Sequence, residues 1–104
     1  METKKSFKEL INGKNPVLVD FYATWCGPCK TMSPILADVK TKIGRKATIL
    51  KIDVDKNPKA AAAYQVRGVP TLIVFKEGKI KWRQSGVVPG KELLRLLNDL
   101  AVSE

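Results

Sequence analysis

Apolar residues along this chain fall into short blocks whose spacing switches between helical and extended periods. Ser6-Phe7-Lys8-Glu9 fits a capping box, and Phe7, Leu10 and Ile11 keep helical spacing until Asn12-Gly13, which predicts a short first helix. Val17 to Ala23 is nearly all apolar and rich in strand formers, the pattern of a central strand covered on both faces, and its single charge is Asp20. Met32, Leu36, Val39 and Ile43 recur at helical intervals before Gly44, marking a longer helix that starts between Cys26 and Cys29. Ala47 to Val54 reads as a second buried strand, and Asn57-Pro58 as a cap and first-turn proline opening a helix through the alanines to Tyr64. Thr71 to Phe75 and Lys79 to Ser85 flank Lys76-Glu77-Gly78, a hairpin signal, and Leu93, Leu94, Leu97 and Leu100 stripe a last helix. The order α-β-α-β-α-β-β-α predicts an α/β fold. Its sheet is parallel in the early βαβ unit, antiparallel in the closing hairpin, and covered by helices on both faces.

Composition narrows the chemistry. The 104 residues suit one domain over 1–104, and no apolar run approaches the roughly 18 residues that span a bilayer, so a soluble protein without a membrane partner is expected. The start, Met1 to Ser6, carries no apolar stretch of a secretory signal. With no histidine, imidazole-based zinc sites and Cys/His or Ser/His catalysis are excluded, which leaves thiols, carboxylates and lysines. The net charge of +9 is spread over both halves with no basic tail and no aromatic-interleaved motif, so it predicts a solvated basic surface that tunes encounters rather than a nucleic-acid site.

The sharpest signal is Trp25-Cys26-Gly27-Pro28-Cys29-Lys30, lying between a buried strand and a helix. Thiols three residues apart on a first helical turn are within disulfide reach, and the free N–H groups there stabilise a thiolate. Cys26 is then the attacking thiol and Cys29 the resolving one. Two other uses stay open at this level. A purely structural staple would close a loop of only four residues, worth about 2 kcal/mol, and a metal site would need carboxylates or a second chain to complete it.

The chain resembles the thioredoxins from about Ser6 to Leu100. The likeness rests on Val19-Asp20-Phe21, on Trp25 to Lys30, on Gly68-Val69-Pro70-Thr71 and on Phe75-Lys76-Glu77-Gly78. It implies the thioredoxin fold, a three-layer α/β/α sandwich with a mixed central sheet and four helices. It further implies Cys26 as an exposed nucleophile, Cys29 as a buried resolving thiol, Asp20 as a buried acid behind the pair and Lys51 as its partner. Desolvation in the strand should raise the Asp20 pKa so that it exchanges a proton with Cys29 through water. Pro70 matches the family's cis proline, which would aim the Val69 backbone at an extended client peptide, with Trp25, Gly27, Pro28 and Gly86 completing the docking surface. The plainer alternatives are a solvent-facing Asp20, an ordinary surface Lys51, a core Trp25, a turn glycine at 86 and a proline at a strand start.

The resemblance also implies a function: reduction of protein disulfides by dithiol exchange, with no bound cofactor beyond the redox-active Cys26–Cys29 disulfide. Its partners would be disulfide-containing clients and a thioredoxin reductase using NADPH through flavin, and the protein a cytoplasmic monomer. Competing uses are a binding module with incidental thiols, and an enzyme of an oxidising compartment. Two departures stand out. Tyr22 stands where many bacterial relatives have tryptophan. Only Met1 to Lys5 precede the first helix, which predicts a four-stranded sheet lacking the N-terminal strand, with the 47–54 strand at its edge.

Overall fold

The computed structural model describes residues 6–102. The predicted order appears: α1 (Phe7–Ile11), β1 (Val17–Tyr22), α2 (Gly27–Ile43), β2 (Thr48–Asp53), α3 (Pro58–Ala63), β3 (Thr71–Lys76), β4 (Lys79–Ser85) and α4 (Gly90–Leu100), with a short 3-10 turn at Gly44–Lys46. The four strands among these residues lie in the order β2-β1-β3-β4. β1 runs parallel to β2 and antiparallel to β3, which closes the β3–β4 hairpin. The expected absence of an N-terminal strand falls on residues 1–5, outside the described chain.

Alternation along β1 divides the core. Leu18 joins Met32, Leu36, Val39, Leu72, Val74, Leu93 and Leu97 beneath α2 and α4, while Val17, Val19 and Phe21 join Ile11, Ile73 and Phe75 on the opposite face. Each fully buried Leu, Val or Phe contributes roughly 1.5–3 kcal/mol. A helix as short as α1 does not hold in isolation. Here Ser6 and Glu9 form the capping box, Ile11 is buried, and the Phe7 ring meets Tyr64 at 5.7 Å and Phe75 at 5.9 Å.

Two expectations need correction. The second strand is not buried: within β2 only Asp53 is, and among the described residues β2 has a hydrogen-bonded strand neighbour on one side only. Asn57 occupies the cap position of α3 without capping it, since its side-chain amide donates instead to the Asp53 carbonyl at 3.0 Å. Trp82, on β4, packs against the α2/α4 core.

Candidate active site

Asp20 shares the α2-facing side of β1 with Leu18, because the period of a strand is two. It is fully buried, and neither carboxylate oxygen has a hydrogen-bond partner among the described residues. Parallel pairing sets Lys51 of β2 directly beside it. Burial pushes the Asp20 carboxyl up from 3.8 to about 6, and the Lys51 ammonium pulls it part of the way back. That ammonium is itself held: it donates to Ser33 Oγ at 3.2 Å and lies 4.8 Å from the centre of the Tyr22 ring. A solvent-facing Asp20 is thereby excluded.

β1 leads into the thiols. The Cys26 N–H donates to the Ala23 carbonyl at 3.2 Å, and Cys26 becomes the N-cap of α2, accepting the Cys29 N–H on its Sγ at 3.1 Å. Cys26 and Cys29 are disulfide-bonded with Cα atoms 5.3 Å apart. Pro28 in the first turn has no N–H to leave unsatisfied, so the turn forms without loss. The same amide that meets the disulfide sulfur is placed to stabilise a Cys26 thiolate after reduction.

The structure corrects the expectation of an exposed Cys26. It is 3% exposed and Cys29 5%, both packed with Ala23 and flanked by Tyr22, Val54 and Val69. The cause is the approach of the 66–70 loop, which brings the Val69 carbonyl to 3.6 Å from Cys26 Sγ. The Val69-Pro70 peptide bond is cis, Pro70 is buried, and the Gly86 N–H donates to the Pro70 carbonyl at 2.9 Å. Gly86 has φ of +93°, where glycine is favoured.

Trp25 is 70% exposed, which excludes a core role, and its indole Nε1 donates to Asp55 Oδ2 at 2.9 Å. It forms one wall of a groove of about 140 Å³, with Val54, Val66, Arg67, Gly68 and Val69 completing it. Gly27 and Pro28 are exposed on the first turn of α2 and do not line this groove, nor does Gly86. Of the residues singled out in the sequence beside the two cysteines, Trp25 and Val69 line the groove, Gly27 and Pro28 share the first turn of α2 with Cys29, and Gly86 is hydrogen-bonded to Pro70, while Asp20 and Lys51 pair across β1 and β2, with Lys51 reaching Ser33 of α2.

Five contributors escaped sequence reasoning. Asp55 fixes the Trp25 ring and Ser33 holds Lys51, while Val54, Val66 and Arg67 line the groove. Ser33 sits four residues after Cys29, on the same helix face, and that spacing was a usable signal. Val66 and Arg67 immediately precede the Gly68-Val69-Pro70 segment. Asp55 carried no signal, since its partner is 30 residues away. No cluster of three Cys, Asp or Glu side chains that could hold a metal ion occurs among the described residues, and no helix there is long and apolar enough to cross a membrane.

Comparison with known proteins agrees with this geometry. A family model described as Thioredoxin matches residues 1–99. A protein named Thioredoxin Y, chloroplastic, from Oryza sativa subsp. japonica is 47% identical over 95 residues, which is 90% of this chain and 56% of that protein. Thioredoxin Y2, chloroplastic, from Arabidopsis thaliana is 45% identical over 105 residues, and there the chain spans 63% of the relative's length. A Thioredoxin from Mycobacterium tuberculosis is 45% identical over 92 residues, 88% of this chain and 79% of that one. Among solved structures, a mutant thioredoxin from Halobacterium salinarum NRC-1 has a TM-score of 0.84 at 33% identity, covering 99% of this chain and 89% of its own. With the disulfide at the start of α2, a buried carboxylate on the strand β1 that leads into it and a family match over nearly the whole sequence, the chain belongs to the thioredoxin family.

Proposed function

We propose that the chain acts as one domain over residues 1–104, a thiol-disulfide oxidoreductase that reduces disulfides of client proteins. The observation that carries this reading is a bonded Cys26–Cys29 pair at a helix N-terminus with a buried carboxylate, Asp20, that has no hydrogen-bond partner among the described residues, on the strand beneath that helix. In the reduced form the Cys26 thiolate attacks a client disulfide, and one client sulfur leaves as a thiolate. Cys29 then passes its proton to Asp20 through water and attacks Cys26 Sγ, which expels the second client thiolate. Two electrons move to the client, and the Cys26–Cys29 disulfide remains as the only redox group, with no bound cofactor. Lys51 tempers the basicity of Asp20.

Thiolate formation alone accelerates little. Lowering a thiol pKa from about 8.5 to about 7 raises the thiolate fraction roughly 16-fold at pH 7 and lowers nucleophilicity roughly 6-fold, a net gain of about threefold. Orientation supplies the rest, because a mixed disulfide held beside Cys29 makes the second displacement intramolecular. The client lies against Trp25, Gly27, Pro28, Pro70 and Gly86 and pairs with the Val69 backbone, whose carbonyl stands 3.6 Å from Cys26 Sγ. A thioredoxin reductase using NADPH through flavin regenerates the dithiol. We assign the protein to the cytoplasm as a monomer without nucleic-acid or membrane partners, and the names of the plant relatives make a plastid the alternative compartment.

The test is reduction of an exposed protein disulfide, such as that of insulin, by dithiol-loaded protein. Wild type is expected to reduce it at a rate well above free dithiothreitol, and the Cys26→Ser, Cys29→Ser double variant to add nothing. Equal rates for the two proteins would move the function to a binding module.

A further inference from the structure

The turn after α3 lacks the residue its geometry favours. Its hydrogen bonds are those of a Schellman closure: the Val66 N–H donates to the Ala61 carbonyl at 2.9 Å and the Gln65 N–H to the Ala62 carbonyl at 3.1 Å, with Tyr64 as C-cap. Such a closure places its C′ residue in the left-handed region, where glycine is the usual occupant. Here that residue is Gln65, at φ +54°. An L side chain is disfavoured there, so the turn by itself tends to open.

One residue compensates, and it comes from the far edge of the sheet. Arg83 of β4 pairs in register with Ile73, on the sheet face of the aromatic cluster, opposite the face that receives Trp82. Its guanidinium donates through Nη1 to the Tyr64 carbonyl and through Nη2 to the Gln65 carbonyl, the latter at 2.8 Å. These carbonyls lie at the negative end of α3, where a cation is favourable, and the planar fork suits two adjacent acceptors. The residues that follow directly, Val66 to Val69, form one wall of the groove opposite Trp25 and carry the carbonyl that touches Cys26 Sγ.

We infer that Arg83 is a positioning residue for client docking: by clamping the Tyr64 and Gln65 carbonyls it holds the glycine-less turn shut and thereby fixes the Val66–Val69 wall of the groove. This rests on the proposed reduction of protein disulfides. Arg83 touches neither the thiols nor the groove. Without it, the wall is in place for only a fraction of the time, and apparent affinity for a client falls by that fraction, whereas a small disulfide that needs no groove is spared the loss.

The experiment compares insulin with 5,5′-dithiobis(2-nitrobenzoate) as substrates of reduced wild type, Arg83→Gln, Arg83→Lys, and Arg83→Gln combined with Gln65→Gly. The ratio of kcat/KM for insulin to that for the small disulfide is expected to fall about five-fold in Arg83→Gln, through KM. Arg83→Lys, with one donor centre, should fall in between. Gln65→Gly, which removes the conformational cost, should restore the ratio in the Arg83→Gln background. Amide exchange at Val66 should accelerate in Arg83→Gln while exchange in β1 and β3 does not. An unchanged ratio, a parallel loss with both substrates, or no rescue by Gln65→Gly overturns the inference. A wild type inactive on insulin would be seen before any variant is compared, and would overturn the proposed function together with this inference.

Discussion

Replacing Cys29 by serine is expected to stop the reaction halfway, with the client held on Cys26 as a mixed disulfide. The first displacement needs only the Cys26 sulfur, stabilised by the Cys29 N–H at 3.1 Å, and a serine at position 29 keeps that amide. The second displacement needs a thiol held next to Cys26, and the disulfide with its Cα separation of 5.3 Å shows that the backbone holds the two within bonding reach. Effective molarities of well-oriented intramolecular reactions reach roughly 10⁵ M, while an external thiol is present at millimolar level, so turnover should fall by at least about 10³-fold. Mass spectrometry of Cys29→Ser incubated with a disulfide client should show the covalent adduct, and Cys26→Ser should show none. Turnover of Cys29→Ser within tenfold of wild type would remove the resolving role.

Replacing Asp20 by asparagine should move stability and rate in opposite directions. The carboxyl is raised in the folded protein from 3.8 to about 6, so the native state binds its proton more tightly than the unfolded chain does. Between those two values the native state holds more protons than the unfolded one, and stability therefore falls as pH rises through that window. Above about pH 7 the ionised, unpaired carboxylate costs on the order of 3 kcal/mol, at 1.36 kcal/mol per pH unit. An asparagine resembles the protonated acid and carries no such cost. Denaturant unfolding should find Asp20→Asn more stable than wild type at pH 7.5, by up to about 3 kcal/mol, with the gap closing as pH falls towards 4. Loss of the base should slow turnover about 10²-fold at pH 7, and the variant's rate should lack the decline below pH 6 that Asp20 protonation gives wild type. Equal stability of the two proteins across that pH range would contradict the buried, unpaired state of Asp20.

Local patterns in the chain reach most of this architecture. A single charge in an apolar run at position 20, read with a period of two, places a carboxylate on one face of a central strand, and the Cys26/Cys29 spacing places two thiols on one helical turn. The edge position of β2 was legible only through family strand order, because a half-buried edge strand and a buried one share the apolar pattern of Ile49, Leu50 and Ile52. What local pattern does not encode is a polar contact between distant segments. Trp25 with Asp55, Lys51 with Ser33, and Arg83 with Tyr64 and Gln65 join residues 18 to 30 positions apart. Each depends on register and on one rotamer, and apart from the helical spacing of Ser33 from Cys29 none leaves a periodic trace. The burial of Cys26 was missed for a related reason: it is the 66–70 loop, far along the chain, that covers the sulfur.

The central claim is that the Cys26/Cys29 dithiol gives electrons to protein disulfides, and its most direct test is the reduction potential of that couple. Equilibration with glutathione and dithiothreitol buffers can be followed through the fluorescence of Trp25, which stands beside the site and is 70% exposed. A value near the roughly −270 mV of thioredoxins is predicted, low enough to reduce client disulfides. A value near the roughly −120 mV of strong oxidants would contradict the account and make the protein a donor of disulfides instead.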